Sequence, residues 1–564
     1  MSTAEAELSR AGVEREKFRW DWVTFVLLGV LGVFVAVTFS PAVKASFVDL
    51  DDQPYVFGNP HVLGGLTPGG VAWALTSREN GFYIPATWLS LQLDATISRL
   101  VAEDVAEHEV GSGRGGALPD ATVYHVTNIV LHGVAAWMLF LFLYRATGER
   151  WAGFAVALLW AVHPLRVESV AWVTERKDEI AGVFGFLAMY WYVVGCEKGR
   201  RGGRVWFWSA CGALVVSMWG KPMFTVMPVL LVVVDWWPLG RVRSVSEMKR
   251  AVVEKWPMWV VVVVGAVAAM MTSRRNGTLP ISAWEKAGNA VLSYVRYMVM
   301  QVDFRELAVF YPYVGSPWMR VCGALGILAV VTVVVVWQRR RWPWLLGGWL
   351  WYVAGSLPTI GFVQSSSQAY ADRFSYLGSV GLIGMVVFGV FQRRRATGAV
   401  VAGAVVAGVL GVVALGVVLA VFSYRQTQYW HDTITLFERA REVTPASTEL
   451  HWPLAHGYAR AGRLEESERE VRAVLAADPA SSDAHLALAA LAEHDGRMEL
   501  ALEEEKAAGA KESERFEVCK QYGMTLLKAG RYEEAAEELK KAAAKDPGDV
   551  EVREGLARAR EFLR

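Results

Sequence analysis

The sequence predicts an all-α protein in two parts, a polytopic membrane helix bundle followed by an α-solenoid of helical repeats. Three observations carry this. Charge is partitioned: residues 1–422 hold 36 Lys+Arg and 28 Asp+Glu, whereas residues 423–564 hold 21 and 28, with a net charge of −7. Apolar runs of about 20 residues, enough to cross a hydrocarbon core about 30 Å thick, recur through the first part only. In the second part Gly-Arg pairs recur every 34 residues, at Gly462–Arg463, Gly496–Arg497 and Gly530–Arg531.

In chain order, residues 1–21 form an N-terminal stub in which Arg10, Arg15, Lys17 and Arg19 approach the first apolar segment. Residues 22–422 form the membrane domain. Its apolar segments lie near 22–40, 122–144, 150–165, 177–195, 204–219, 221–238, 256–272, 318–337, 342–360, 374–391 and 397–422, eleven in all. Tryptophans such as Trp20, Trp22, Trp151, Trp237, Trp256 and Trp342 sit at segment ends, as an aromatic belt requires. The first segment is long and is followed by others, so it reads as an uncleaved anchor and not a leader.

The basic loops CEKGRRGGR, GRVRSVSEMKR, QRRRR and QRRR fall on one side together with the N-terminus. Lys and Arg favour the cytoplasmic side. The expected placement is therefore a multi-pass protein of the cell (inner) membrane, with the N-terminus cytoplasmic. The first outer loop, 41–121, and the tail are then extracytoplasmic. The stretch NAVLSYVRYMVMQVDFRELAVFYP (289–312) carries Arg296, Asp303, Arg305 and Glu306 and must enter and leave on one side. It is expected to be a re-entrant or interfacial hairpin facing protein and water.

Residues 423–564 follow the tetratricopeptide-repeat (TPR) period of 34. Pro445, Pro479 and Pro547 are spaced by one and then two such periods. Each helical hairpin leaves an apolar face that only its neighbour covers. Leu454, Tyr458, Leu488, Ala501, Gly523 and Ala535 fall at the core positions, giving about three repeats with residues 550–564 as a polar capping helix. Such an array is expected to bind a protein or peptide, the plainer reading being a stacked spacer.

The overall formal charge of +1 makes no electrostatic case for nucleic acid. Cys196, Cys211, Cys322 and Cys519 are scattered without metal-ligand spacing. Ionisable residues beside membrane spans are the places to look for chemistry. Asp51–Asp52, about ten residues beyond the first span, offers adjacent carboxylates that suit a divalent metal or the removal of a proton from a hydroxyl; a solvated loop is the plainer reading. The string AVHPLRVESVAWVTERKDEI gathers His163, Arg166, Glu168, Glu175, Arg176, Lys177 and Asp178. Arg and Lys facing a wet cavity are what an anionic lipid phosphate needs, and Lys221, Arg274, Arg275, Arg296, Arg305 and Arg373 end on the same side. His125, Asn128 and His132 share one face of the second span, where hydrogen bonding between helices is favoured over substrate contact.

The strings FVDLDDQPYVFGNPHV, YHVTNIVLH, HPLRVESVAWVTERKDEIAGVFG, LAVFYP and QAYADRFSYLGSVGL occur in this order ahead of the repeats. Together, over roughly 47–564, they resemble the transmembrane-and-TPR-containing O-mannosyltransferases and their bacterial relatives. That resemblance implies a type C glycosyltransferase fold, a polyprenyl-phosphate sugar donor (mannose) and a protein hydroxyl acceptor. It also implies a catalytic aspartate in the first outer loop, Asp51 or Asp52. Arg166, Arg176, Lys177 and Arg373 are expected at the donor phosphate, with His163, Glu168, Asp178 and Tyr311 in support. A divalent metal at Asp51/Asp52 is the one cofactor the pattern admits. Two departures bear on acceptor choice: Ile84 in GFYIPATWLS stands where the family has His, and residues 99–120 form an insertion. The rival expectation is a non-catalytic, membrane-anchored TPR scaffold for envelope complexes.

Overall fold

The computed structural model describes residues 18–106, 120–273, 281–361, 368–392, 399–445, 447–512 and 515–564. Most of the N-terminal stub, most of the 99–120 insertion, Arg274, Arg275 and part of the QRRR loop lie outside these residues. The chain divides into two compact units, Met1–Leu436 and Phe437–Arg564.

The first unit is a bundle of apolar helices. Among the described residues, five are long and apolar enough to cross a membrane: Trp22–Lys44, Thr122–Thr147, Val173–Gly199, Trp318–Arg340 and Ala407–Gln428. Two further pairs qualify only as bent spans, Arg150–Ala161 with Pro164–Ala171 (63°) and Val245–Glu254 with Trp256–Thr272 (59°). All eleven expected segments coincide with helix, but the rest are short, such as Pro222–Trp236 and Ser379–Phe391.

Polar residues fix the ends of these helices. Asp21 caps the first one by accepting from the Thr24 N–H (3.0 Å), and its other oxygen takes Arg150 (2.8 Å). Helix Arg176–Gly220 reverses at Gly199, whose φ of 68° only glycine adopts readily. Its two halves are antiparallel, since Ser217 donates to the Ala181 carbonyl (2.9 Å). Arg176 and Gly220 therefore lie at one end of the bundle, together with the start of helix Thr122–Thr147; this end is the loop face.

The stretch 289–312 departs from expectation. It is not a hairpin but the end of one amphipathic helix, Ala283–Met300, followed by a stretch of turns. A capping box, Ser282 with Glu285, starts that helix. Tyr311–Pro312 then pairs antiparallel with Gln368–Tyr370, the one β-ladder among the described residues.

The second unit is a succession of helical hairpins: His451–Arg460 with Leu464–Ala477, Ser482–His494 with Met498–Glu512, and Phe516–Lys528 with Tyr532–Lys545. Helix Val550–Phe562 ends it, burying Val552, Gly555 and Ala559. Gly462, Gly496 and Gly530 take φ of 72°, 75° and 76° at the three turns. The following N–H closes each turn onto the helix before it, Arg463 to Tyr458, Arg497 to Ala492 and Arg531 to Leu526, at 2.8–2.9 Å. The expected core residues Leu454, Tyr458, Leu488, Ala501, Gly523 and Ala535 are all buried.

Candidate active site

The first loop folds back on the bundle around a small core of its own, with Tyr55, Val56, Ile84, Trp88 and Leu91 buried against Tyr124 and Val173. Asp52 pins this loop in place. One carboxylate oxygen accepts from both the backbone N–H (3.1 Å) and the hydroxyl (2.5 Å) of Thr174; the other accepts from the Val48 N–H (3.0 Å). Asp52 is 1% exposed. Burial pushes its carboxyl up to about 6, against the pull of these three hydrogen bonds, and the neighbouring Asp51 charge adds to the rise.

Asp51 differs. Its side chain is half-buried and makes no hydrogen bond or ion pair among the described residues. It lies within electrostatic reach of the Tyr55 hydroxyl, which burial holds well above its ordinary range and which Asp51, Glu175 and Lys221 also influence. Both oxygens of Asp52 accept hydrogen bonds from protein donors, whereas Asp51 is left open. Among the described residues no three His, Cys, Asp or Glu side chains converge as metal ligands.

Next to this loop lies a cluster of alternating charge. Lys221 bridges Glu175 and Asp178, at 2.8 Å to each. Lys177 lies 3.5 Å from Glu175 and 4.7 Å over the Tyr55 ring. Arg373 pairs with Glu168 and reaches Glu175 at 3.4 Å, and its own backbone N–H donates to Glu168 (2.8 Å). The three carboxylates are the sunken half, 1–3% exposed, while Lys177, Arg373 and Lys221 are 7%, 12% and 20% exposed. The cluster is neutral in count, and its cations are more exposed than its carboxylates.

Arg166 and Arg176, also expected at the donor phosphate, lie beneath this surface at 0% exposure. Arg176 pairs with Asp94 and donates to Asn128 Oδ1 (2.7 Å) and the Tyr124 carbonyl (2.7 Å). Arg166 donates to Ser375 Oγ (2.5 Å) and packs 5.1 Å over the Tyr376 ring. Of the supporting residues, His163 accepts from the Leu165 N–H (3.2 Å) and approaches the Gln301 carbonyl at 3.1 Å, joining two segments. Asp178 accepts from Ser169 (2.9 Å). Tyr311 donates to Asp372 (2.9 Å) and stacks on Tyr370 with centroids 4.3 Å apart, next to Arg373. Asn128 and His132 join helices, His132 approaching Glu179 (3.0 Å) and the Ala161 carbonyl (2.9 Å).

The segment after the last long apolar helix also touches the site. Trp430 stacks on Trp172 (6.0 Å), whose other neighbour is the Arg373 guanidinium at 5.2 Å. The Ser46 N–H donates to the His431 carbonyl and the Asp49 N–H to Thr433 Oγ1, both at 2.8 Å.

Comparison with known proteins bears on both units. Family profiles described as tetratricopeptide repeat match residues 453–514 and 516–559. Human protein O-mannosyl-transferase TMTC4 is 22% identical over 515 residues, covering 77% of this chain and 64% of that protein. The TMTC2 proteins of Mus musculus and Homo sapiens are 28% identical over 109 residues, 19% of this chain and 13% of theirs. Tmtc1 of Drosophila melanogaster is 38% identical over 69 residues, 12% of this chain and 8% of its own length. The chain carries tetratricopeptide repeats and is similar to TMTC proteins over most of its length. It spans less than two thirds of the length of each of these relatives.

In this TMTC-like chain the sequence pattern did not single out Thr174, Trp172 with Trp430, or Thr433. Lys221 was noted only as one charge among several. Its signal was a lone cation followed by proline, GKP, directly after an apolar run.

Proposed function

We propose that the chain is a membrane glycosyltransferase that moves a sugar, mannose in line with the O-mannosyl-transferases it resembles, from a polyprenyl-phosphate donor to a protein hydroxyl. One observation carries this reading. Asp51, a carboxylate with no hydrogen bond or ion pair among the described residues, stands on a clamped loop beside a cluster whose cations are more exposed than its carboxylates.

In the reaction the acceptor oxygen attacks the anomeric carbon while the bond from that carbon to the phosphate oxygen breaks. The phosphate leaves with the electron pair, and the hydroxyl proton passes to Asp51 as general base. Lys177, Lys221 and Arg373 stabilise the charge that develops on the phosphate. Asp52 positions the loop, and Arg166 and Arg176 hold the framework. The TPR unit recruits the acceptor protein, and the reaction runs on the extracytoplasmic face.

The test uses membranes supplied with a radiolabelled polyprenyl-phosphate sugar. Asp51→Asn keeps the shape but takes no proton at neutral pH, and it should cut transfer by roughly 10²–10⁴ with protein level unchanged. Wild-type transfer by Asp51→Asn removes the base assignment. No transfer by the wild type with any polyprenyl-phosphate donor leaves the non-catalytic scaffold as the function.

A further inference from the structure

Helix Pro85–Ala106 of the first loop packs one face into the loop core through Trp88, Leu91 and Ala95. Its opposite face carries Leu93, Ile97, Leu100 and Val101, exposed by 44%, 37%, 60% and 52%. The spacing of four, three and one puts these four on one stripe. A soluble loop has no reason to present such a row to water.

The course of this helix says what it meets. Thr87 donates to the Gly220 carbonyl (3.3 Å), Asp94 pairs with Arg176, and Thr127 donates to Asp94 (2.8 Å). These three partners lie at the loop-face ends of membrane helices, so the loop helix runs across the bundle end, not away from it. On either side of Thr127, Val126 and Val130 are exposed by 41% and 57% on a membrane helix. The apolar stripe thus begins beside a lipid-facing flank.

We infer that this stripe rests on the bilayer, with Leu93, Ile97, Leu100 and Val101 buried at the boundary of headgroups and acyl chains, as in interfacial amphipathic helices. Lipid is favoured over a protein partner because the stripe continues a surface that already faces lipid. This inference does not depend on the proposed reaction.

The experiment uses the full chain in lipid nanodiscs with the four native cysteines replaced by alanine. A nitroxide is placed in turn at Ile97→Cys, Leu100→Cys and, as a control, the exposed loop position Arg78→Cys. At 97 and 100, collisions with dissolved oxygen should exceed those with a water-soluble nickel chelate by several-fold, with the reverse at 78. Nickel access at 97 and 100 equal to that at 78 overturns the inference. Low access to both reagents at 97 and 100 also overturns it, since a protein surface then covers the stripe.

Discussion

Asp52 and Thr174, 122 residues apart, are joined by two hydrogen bonds to one carboxylate oxygen, from the backbone N–H at 3.1 Å and the hydroxyl at 2.5 Å. The contact ties the loop that carries Asp51 to the segment that carries the charged cluster. Adjacent aspartates therefore sit in different settings, Asp52 clamped and Asp51 half-buried.

This contact has a pH signature. Asp52 holds its proton up to about 6 in the folded chain, against an ordinary value of 3.8. Between these values the folded state binds more protons than the unfolded one. Stability from this group is therefore fully present below pH 4, falls as pH rises toward 6 and stays lower above it. Asp52→Asn lacks this slope. Thermal unfolding in detergent should show the variant gaining on the wild type by about 3 kcal/mol between pH 4 and 6.5. Parallel pH profiles would refute the assignment.

Neutralising cations should have two distinct outcomes. Arg176→Gln leaves Asp94 buried without its partner, a loss of about 3–5 kcal/mol, so folded protein in the membrane should drop. The double variant Arg176→Gln with Asp94→Asn should recover part of it. Lys177→Gln should keep normal levels and weaken donor binding about tenfold. Normal levels of Arg176→Gln with weakened donor binding would place Arg176 at the ligand instead.

Thr433 should act as a positioning residue. Thr433→Val removes the hydroxyl that Asp49 donates to, three residues before Asp52, and should lower kcat roughly tenfold with the donor KM unchanged. Thr433→Ser should restore the rate. A change in KM alone would count against positioning.

Deletion from Thr444 onward should abolish transfer to protein acceptors yet spare a small hydroxyl acceptor. Equal loss with both acceptors would mean that the repeats support the membrane unit instead of recruiting substrate.

How much was readable in advance depended on the range of the interaction. The turns at Gly462, Gly496 and Gly530 were visible because a fixed period repeats one local geometry. The charged cluster was visible because His163 to Asp178 are close in sequence. Which cations face outward was not, since Arg176 and Arg373 are alike in type and differ only in what distant segments place over them. The separate roles of Asp51 and Asp52 rest on Thr174, which no local pattern marks. The amphipathic helix before Gln301 has a local signal, Ser282 followed three residues later by Glu285.

The hydrogen bonds from Ser46 and Asp49 to His431 and Thr433 also bear on how such proteins diversify by recombination. A crossover that exchanged repeat arrays between relatives upstream of Thr433 would import a foreign clasp for the aspartate loop. One placed after it would swap acceptor specificity and leave the chemistry its own. Viable chimaeras should accordingly have their junctions downstream of this residue.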